Sequence, residues 1–289
     1  MPLRSRLLID GSLPLAPAIP GWHSQIGQDE CLVEHIFKRR RGLYYIDLAA
    51  NDARHLSNTY VLDRNYSWSG LCVEANGRYL SGLVQDRSCA VARVVVSNIS
   101  GVERRFRFTG ENGGLFMNWM KELTDHQRRT VKTITTVGIA ELLAHANVPA
   151  QIDYVSLDLE GAEEEVLRAW PFEAHAFDVL TIERPTVVLH KLLTSRGYCV
   201  KLSFDNEIGD VLYVRRANRK LANAVSRGCR RRPFTETVAA HVRFPDDFCT
   251  RADSWLDPYW RFSFVKRKWV QEPGSKAVLN RTYRAFVHE

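Results

Sequence analysis

The residues of this chain whose types and spacing could do chemistry are carboxylates set at the ends of short apolar runs. YYIDL (44–48) carries Asp47, GLCVE (70–74) closes on Glu74, DYVSLD (153–158) on Asp158 and FDVLTIE (177–183) on Glu183. A fifth run, AVARVVVS (90–97), ends on Ser97. Acids gathered in one crevice can accept hydrogen bonds from hydroxyls and amines, take a proton from a substrate, or hold a hard cation. Asp158 and Glu160, in the stretch DLEGAE, are candidates for a general base acting on an acceptor hydroxyl. Asp158, Glu160 and Glu183 are also a candidate ligand set for Mg²⁺, which would lower the pKa of that hydroxyl and orient it. Glu160 and Glu163 would share a face if a helix begins there, whereas Glu164 and Glu165 only complement the positive end of the helix dipole. His55 and His190 fall near element ends facing the same crevice; each could serve as a base, or simply pack.

The first loop, DLAANDARHLSN, narrows the ligand. A dinucleotide or a P-loop nucleotide needs glycines here so that backbone amides can reach phosphate, and no glycine occurs between Asp47 and Asn58. Neither GxSxG nor HExxH occurs in the chain, which argues against serine-hydrolase and zincin arrangements. S-adenosylmethionine has no phosphate. Its ammonium, carboxylate, ribose and adenine suit an acid, small residues and backbone amides. Glu74, at the end of the next run, stands where a carboxylate can accept both ribose hydroxyls.

These residues need a scaffold, and the hydropathy pattern supplies one. The five runs read as strands. Residues 55–67, 115–129, 138–147, 160–170 and 186–196 read as helices. ERRFRFT (103–109) alternates as a half-exposed antiparallel strand would, and ENGG (111–114) marks a loop. Two last strands, 198–204 and 210–215, read as an antiparallel addition at one edge. Strands alternating with helices imply parallel βαβ units. The expected fold class is therefore α/β: a doubly wound, mostly parallel seven-stranded sheet with an antiparallel edge strand. Residues 1–20 read as an arm with scope for a short docking strand, 21–216 as the main domain, and 217–289 as a basic, aromatic-rich extension or cap.

The chain of 289 residues is 45% hydrophobic, enough for one large core. Its net charge of +7 arises wholly in 217–289, which carries 15 Lys or Arg against 7 Asp or Glu, while the rest carries 25 against 26. That segment keeps eleven aromatics, among them Trp255, Trp260 and Trp269, which argues against disorder. Such a surface would attract an anionic partner (nucleic acid, acidic glycan, nucleotide-sugar or anionic lipid), or it serves solubility alone. Six cysteines without a CxxC pair indicate neither a zinc framework nor a disulfide scaffold. Cys72, inside an apolar run, reads as a small core residue, and the chain as a protein of a reducing, cytoplasmic compartment. No apolar run approaches bilayer length, and Asp10 with three prolines interrupts the signal-like start.

Several segments together are more specific. SQIGQDE (24–30), YYIDLAANDARHLSNTYVLDRNYSWSGLCVEAN (44–76), IDYVSLDLEGAEEEVL (152–167), TIERP (181–185), RGY (196–198) and DVLYV (210–214) follow a known order and spacing. They resemble the FkbM family of S-adenosylmethionine-dependent methyltransferases, over residues 24–215. The resemblance implies a Rossmann-like methyltransferase fold and O-methylation of hydroxyl groups on sugars, glycolipids or natural products. It also implies that Asp47, Ala49 and Asn51 lie along the methionine part of the cofactor and that Glu74 holds the ribose. Ser97 and Asn98 would sit near the adenine, and Gln28 with Asp29 would close the pocket. Two positions depart from the pattern: Ala49, where methyltransferases usually have glycine, and Ala53, where the family often does. A tighter loop or weaker cofactor affinity is the expected consequence.

On this reading the extension would grip a carbohydrate or small-molecule acceptor, with aromatics stacking on sugar faces and arginines pairing with anionic groups. Two other readings compete. One is methylation of nucleic acid, which basic residues interleaved with Trp and Tyr over 255–269 would suit, although no NPPY-type motif is present. The other is a catalytically inactive binding module on a methyltransferase fold, which only the two alanines favour.

Overall fold

The apolar runs that carry the acids become the middle of one large mixed sheet in a mixed α/β fold. The computed structural model describes residues 8–9, 15, 17–110, 113–116, 128–204, 209–223, 260–263 and 268–271. β1 (Leu8–Ile9), β2 (Tyr44–Leu48), β3 (Ser69–Val73) and β4 (Ala90–Ala92) come first. Among them lie α1 (Gln28–Glu30, which widens into π-type turns over Cys31–Ile36), α2 (Tyr60–Tyr66) and α3 (Gly77–Asp86). β5 (Val95–Ser97) leaves for a second sheet, completed by β6 (Glu103–Arg107), β7 (Gly114–Leu115) and β8 (Val131–Gly138). The chain returns through α4 (Ile139–His145) to β9 (Gln151–Leu157), α5 (Glu163–Arg168) and β10 (Ala176–Ile182). Then come α6 (Val187–Ser195), β11 (Tyr198–Ser203), β12 (Val211–Arg215) and α7 (Arg219–Ala222). A two-stranded sheet pairs β13 (Trp260–Ser263) with β14 (Lys268–Gln271).

The main sheet runs β1-β4-β3-β2-β9-β10-β12-β11, with β2, β3, β4, β9 and β10 parallel. Chain order climbs outward from β2 through β3 to β4 on one side, and from β9 to β10 on the other. It therefore reverses between β2 and β9, and a crevice opens at the carboxyl ends of strands flanking such a reversal. Ile46, Leu48, Leu71, Val73, Val155 and Leu157 pack into one buried cluster; Tyr45, Cys72, Val91, Tyr154 and Val179 pack into another. Successive strand residues point to opposite faces. Burial on both faces is why these strands read as near-continuous apolar runs.

Several features differ from the sequence expectation. The sheet has eight strands, because the short β1 pairs antiparallel with β4 at one edge. The antiparallel β12 lies between β10 and β11 rather than at the edge. Both β11 and β12 are buried along almost their whole length, so hydropathy did not choose between the two lanes. The run 90–97 is two strands broken at Arg93 and Val94, with β4 pairing to β3 and β5 to β8. The second sheet was not foreseen: β8 is largely exposed over its first half and offers no apolar run. The expected helix over 115–129 starts within β7, and most of it lies outside the described residues. So do most of the arm 1–20 and, apart from β13 and β14, the extension beyond Asn223, Trp255 included. No helix among the described residues is long and apolar enough to cross a membrane.

Cys72 in β3 and Cys89, immediately before β4, are joined by a disulfide, with Cα atoms 6.1 Å apart. Cys31 and Cys199 are disulfide-bonded as well. The expectation of a chain without disulfides is overturned, and with it the ground for assigning a reducing compartment. Spacing alone could not show this, because the 17 residues of separation include the helix that swings β4 beside β3. Closing a loop of that size contributes about 3 kcal/mol. Replacing both residues, Cys72→Ala with Cys89→Ala, should lower the unfolding free energy by about that amount in urea titrations without reductant. Equal stability of wild type and variant under oxidising conditions would show that the bond contributes nothing.

Candidate active site

A buried cation sets the first loop. Arg87, which follows α3, is fully buried. Its Nε donates to Asp63 Oδ2 at 2.9 Å, and Nη1 donates to the Ala53 carbonyl at 3.3 Å and Ser57 Oγ at 3.2 Å. Nη2 donates to the Tyr45 hydroxyl at 2.8 Å and to Thr59 Oγ1 at 2.6 Å. All five guanidinium donors are thereby used. Thr59 in turn donates to Asp47 Oδ2 at 2.5 Å. The stretch from Ala53 to Thr59 is therefore tied to the end of β2. Sequence reasoning missed Arg87, since a single basic residue between a helix and a strand reads as surface.

A cleft opens at the carboxyl ends of β2, β3, β9 and β10, where Asp47, Glu74, Asp158 and Glu183 all line it. The loop after β2 turns sharply, with Ala49 at φ 67° and Asn51 at φ 52°. Asparagine tolerates this left-handed region, whereas alanine is strained there by about 1–2 kcal/mol and glycine would not be. The two alanine departures thus differ, because Ala53 is not among the residues of positive φ. Backbone N–H groups of Asn51 and Asn76 donate to Glu74 Oε2 and Oε1 at 2.8 and 2.6 Å. They fix the carboxylate and leave each oxygen a further lone pair. Burial raises the Glu74 pKa, and those amides oppose it. Burial likewise raises Asp47, against the field of Arg87 and the hydrogen bonds of Thr59 and Ser156.

The amide oxygens of Asn51 and Asn58 are buried without a partner, and both residues line the cleft. Buried acceptors in this position await a donor. Asn58, which sequence reasoning did not single out, donates Nδ2 to Ser156 Oγ at 3.1 Å. Val94, Val95 and Val96, with Phe106 and Leu115 from the second sheet, add an apolar wall.

Beside this wall lies an acid cluster. Asp158, Glu160 and Glu183 bring one oxygen each within 4.8 Å of one another. Glu160 takes a left-handed backbone at φ 53°, followed by Gly161 at φ 104°. Gly114 of β7 packs on it so closely that an added Cβ would lie 2.8 Å from the Glu160 Cβ. Glu163 Oε1 accepts from the Leu159 and Gly161 N–H groups at 2.8 and 3.1 Å, which holds the loop. Helix α5 begins only at Glu163, so Glu160 precedes it and the two do not share a helical face.

Burial, with the charges of Asp158 and Glu163, lifts Glu160 to about 7. Burial and Asp158 lift Glu183 to about 9. Desolvation by the surrounding protein also raises Asp158, although its side chain reaches solvent, and its hydrogen bond with Glu183 opposes that rise. Asp210, just before β12, also lines the cleft and is lifted to about 7 by burial and by Asp158.

The remaining sequence candidates divide. Gln28 lines the cleft and donates Nε2 to Asp210 Oδ2 at 2.6 Å. Asp29 does not line it; it accepts from the His23, Ser24 and Glu30 N–H groups and from the Ser24 hydroxyl, tying down the chain before α1. Ser97 turns its hydroxyl to Glu165 and Asn98, outside the cleft. Asn98 lies in a neighbouring shallow hollow with Ile99 and Glu165. The break between β4 and β5 is the reason, since it leaves Val94–Val96 on the cleft instead. His55 is exposed on the cleft lining.

His190 is not on that lining. Helix α6 turns it toward β12, where Nδ1 meets the Tyr213 hydroxyl at 2.9 Å. Burial, and less so Lys191, lowers its pKa to about 4. A histidine depressed in the folded state contributes stability above its unfolded pKa near 6.5, and that stability is lost as pH falls through about 4. His190→Gln should flatten the acid limb between those values, by at most about 3 kcal/mol in denaturation titrations. The variant should keep its affinity for cleft ligands. An unchanged acid limb would show that His190 titrates normally.

A family model described as Methyltransferase FkbM domain matches residues 47–198, more than half of the chain. No curated protein and no solved structure matches.

Proposed function

The chain belongs to the FkbM methyltransferase family, and from that membership we propose that it transfers a methyl group from S-adenosylmethionine to a hydroxyl of a sugar, glycolipid or glycosylated natural product. One observation carries this reading: a carboxylate gripped by backbone amides shares a cleft with a solvent-reached acid cluster. Glu74 would accept the ribose hydroxyls through its remaining lone pairs. The orphaned amide oxygens of Asn51 and Asn58 suit the cofactor's ammonium, with the Asp47 charge nearby. The valine wall suits a flat adenine. These residues fit the cofactor, which when bound supplies an electrophilic methyl group on a sulfonium.

The chain's own part is positioning and proton removal. Asp158 and Glu160 line the cleft where an acceptor hydroxyl would enter, and either can take the proton it gives up. The order of the main sheet on either side of β2 and β9 agrees with the Rossmann-like fold expected of such an enzyme. The second sheet, through Phe106, Gly114 and Leu115, would help to exclude water.

Methyl-labelled S-adenosylmethionine offered with a panel of glycans tests this reading. Wild type should label a glycan hydroxyl, and Asp158→Asn should do so at least about 100-fold more slowly. Label passing only to RNA or DNA would move the acceptor class to nucleic acid. A folded chain that binds no S-adenosylhomocysteine would leave only a binding module.

A further inference from the structure

We propose that Asp158, Glu160 and Glu183 form a site for one hard divalent cation, Mg²⁺ or Mn²⁺, with the carboxylate of Asp210 behind them. This deepens the hydroxyl-methylation reading, yet it can be tested without it. A hard cation binds oxygens at about 2.0–2.6 Å, so oxygens sharing one ion lie no more than about 4–5 Å apart. The three carboxylates already meet that spacing, at 4.8 Å or less. They come from the ends of two neighbouring strands, β9 and β10, with Glu160 held in its left-handed conformation by Gly114 and the Glu163 bonds. Backbone strain held in place by its surroundings is characteristic of a built site. An all-oxygen set selects Mg²⁺, Mn²⁺ or Ca²⁺ over softer metals.

A second observation comes from β12. Asp210 is only 7% exposed; one oxygen accepts from Gln28, and the other, Oδ1, is buried with no partner. It lines the same cleft. A buried, half-satisfied carboxylate is unfavourable unless positive charge lies near. Arg107, which acts on Glu160, and Arg184, whose mostly exposed side chain pairs with Glu183 at 3.3 Å, are two cations beside the cluster, and a dication would add to them. Asp158 is reached by solvent, so a coordination position stays open for a water or an acceptor oxygen.

Chelator-treated full-length protein titrated with Mn²⁺, followed by electron paramagnetic resonance and with Mg²⁺ as competitor, tests the site. One Mn²⁺ per chain should bind and be displaced by Mg²⁺. Glu183→Gln and Glu160→Gln should each weaken it at least tenfold, while S-adenosylhomocysteine titration shows the cleft intact. Should one variant fail to fold, the other carries the test. No binding at millimolar Mn²⁺, or binding indifferent to both substitutions, would overturn the proposal. Cation binding in a chain that takes no S-adenosylhomocysteine would support the site while removing the methyl-transfer reading.

Discussion

Glu74→Ala should abolish calorimetrically measurable binding of S-adenosylhomocysteine and leave the fold standing. Two hydrogen bonds to a charged acceptor are worth about 1.5–3 kcal/mol each, so affinity should fall by roughly 100-fold to 10,000-fold. The substitution also strips the Asn51 and Asn76 N–H groups of their acceptor, which frees the loop that carries Ala49 and Asn51. Stability should change little, because burial already works against this carboxylate. Glu74→Gln should fall between the two, since its amide keeps one acceptor oxygen and turns a donor toward a backbone N–H. Wild-type affinity in the alanine variant would remove Glu74 from the site and end the ribose assignment.

Arg87→Met should produce the largest stability loss of any single substitution argued for this chain, about 3–5 kcal/mol. The side chain is fully buried and so is its partner, leaving Asp63 as an uncompensated buried charge. Tyr45, Ser57 and Thr59 would each lose a donor. Urea titration should show the loss as a lowered midpoint with little change in slope. The cofactor loop should suffer too, because Thr59 passes the Arg87 contact on to Asp47. Arg87→Met combined with Asp63→Leu should recover part of the stability, since replacing both members of a buried pair costs far less than breaking it. Ligand affinity should stay low in that double variant, which separates the loop from the fold. An Arg87→Met protein as stable as wild type would mean the network contributes nothing.

The sequence by itself determined which strands carry the cleft and which acids end them. A strand buried on both faces must be a short apolar run, and such a run stops where the chain meets water. Asp47, Glu74, Asp158 and Glu183 therefore stood out, and all four line one cleft. The loop after β2 was legible for a similar local reason, since the absence of glycine weighs against a phosphate site.

Only the tertiary structure decided what depends on distant partners. Ser97 ends β5 and His190 lies within α6, but both point away from the cleft, because strand pairing and helix rotation select the face. Asn58, Arg87 and Asp210 carry no local signal; Arg87 earns its place from Tyr45 and Asp63, and Asp210 from Gln28, at separations of 42, 24 and 182 residues. The Cys72–Cys89 bond and the second sheet have the same origin. Hydropathy records whether a residue is buried, and burial is a property of one position. A pairing is a property of two positions, and folding alone brings them together.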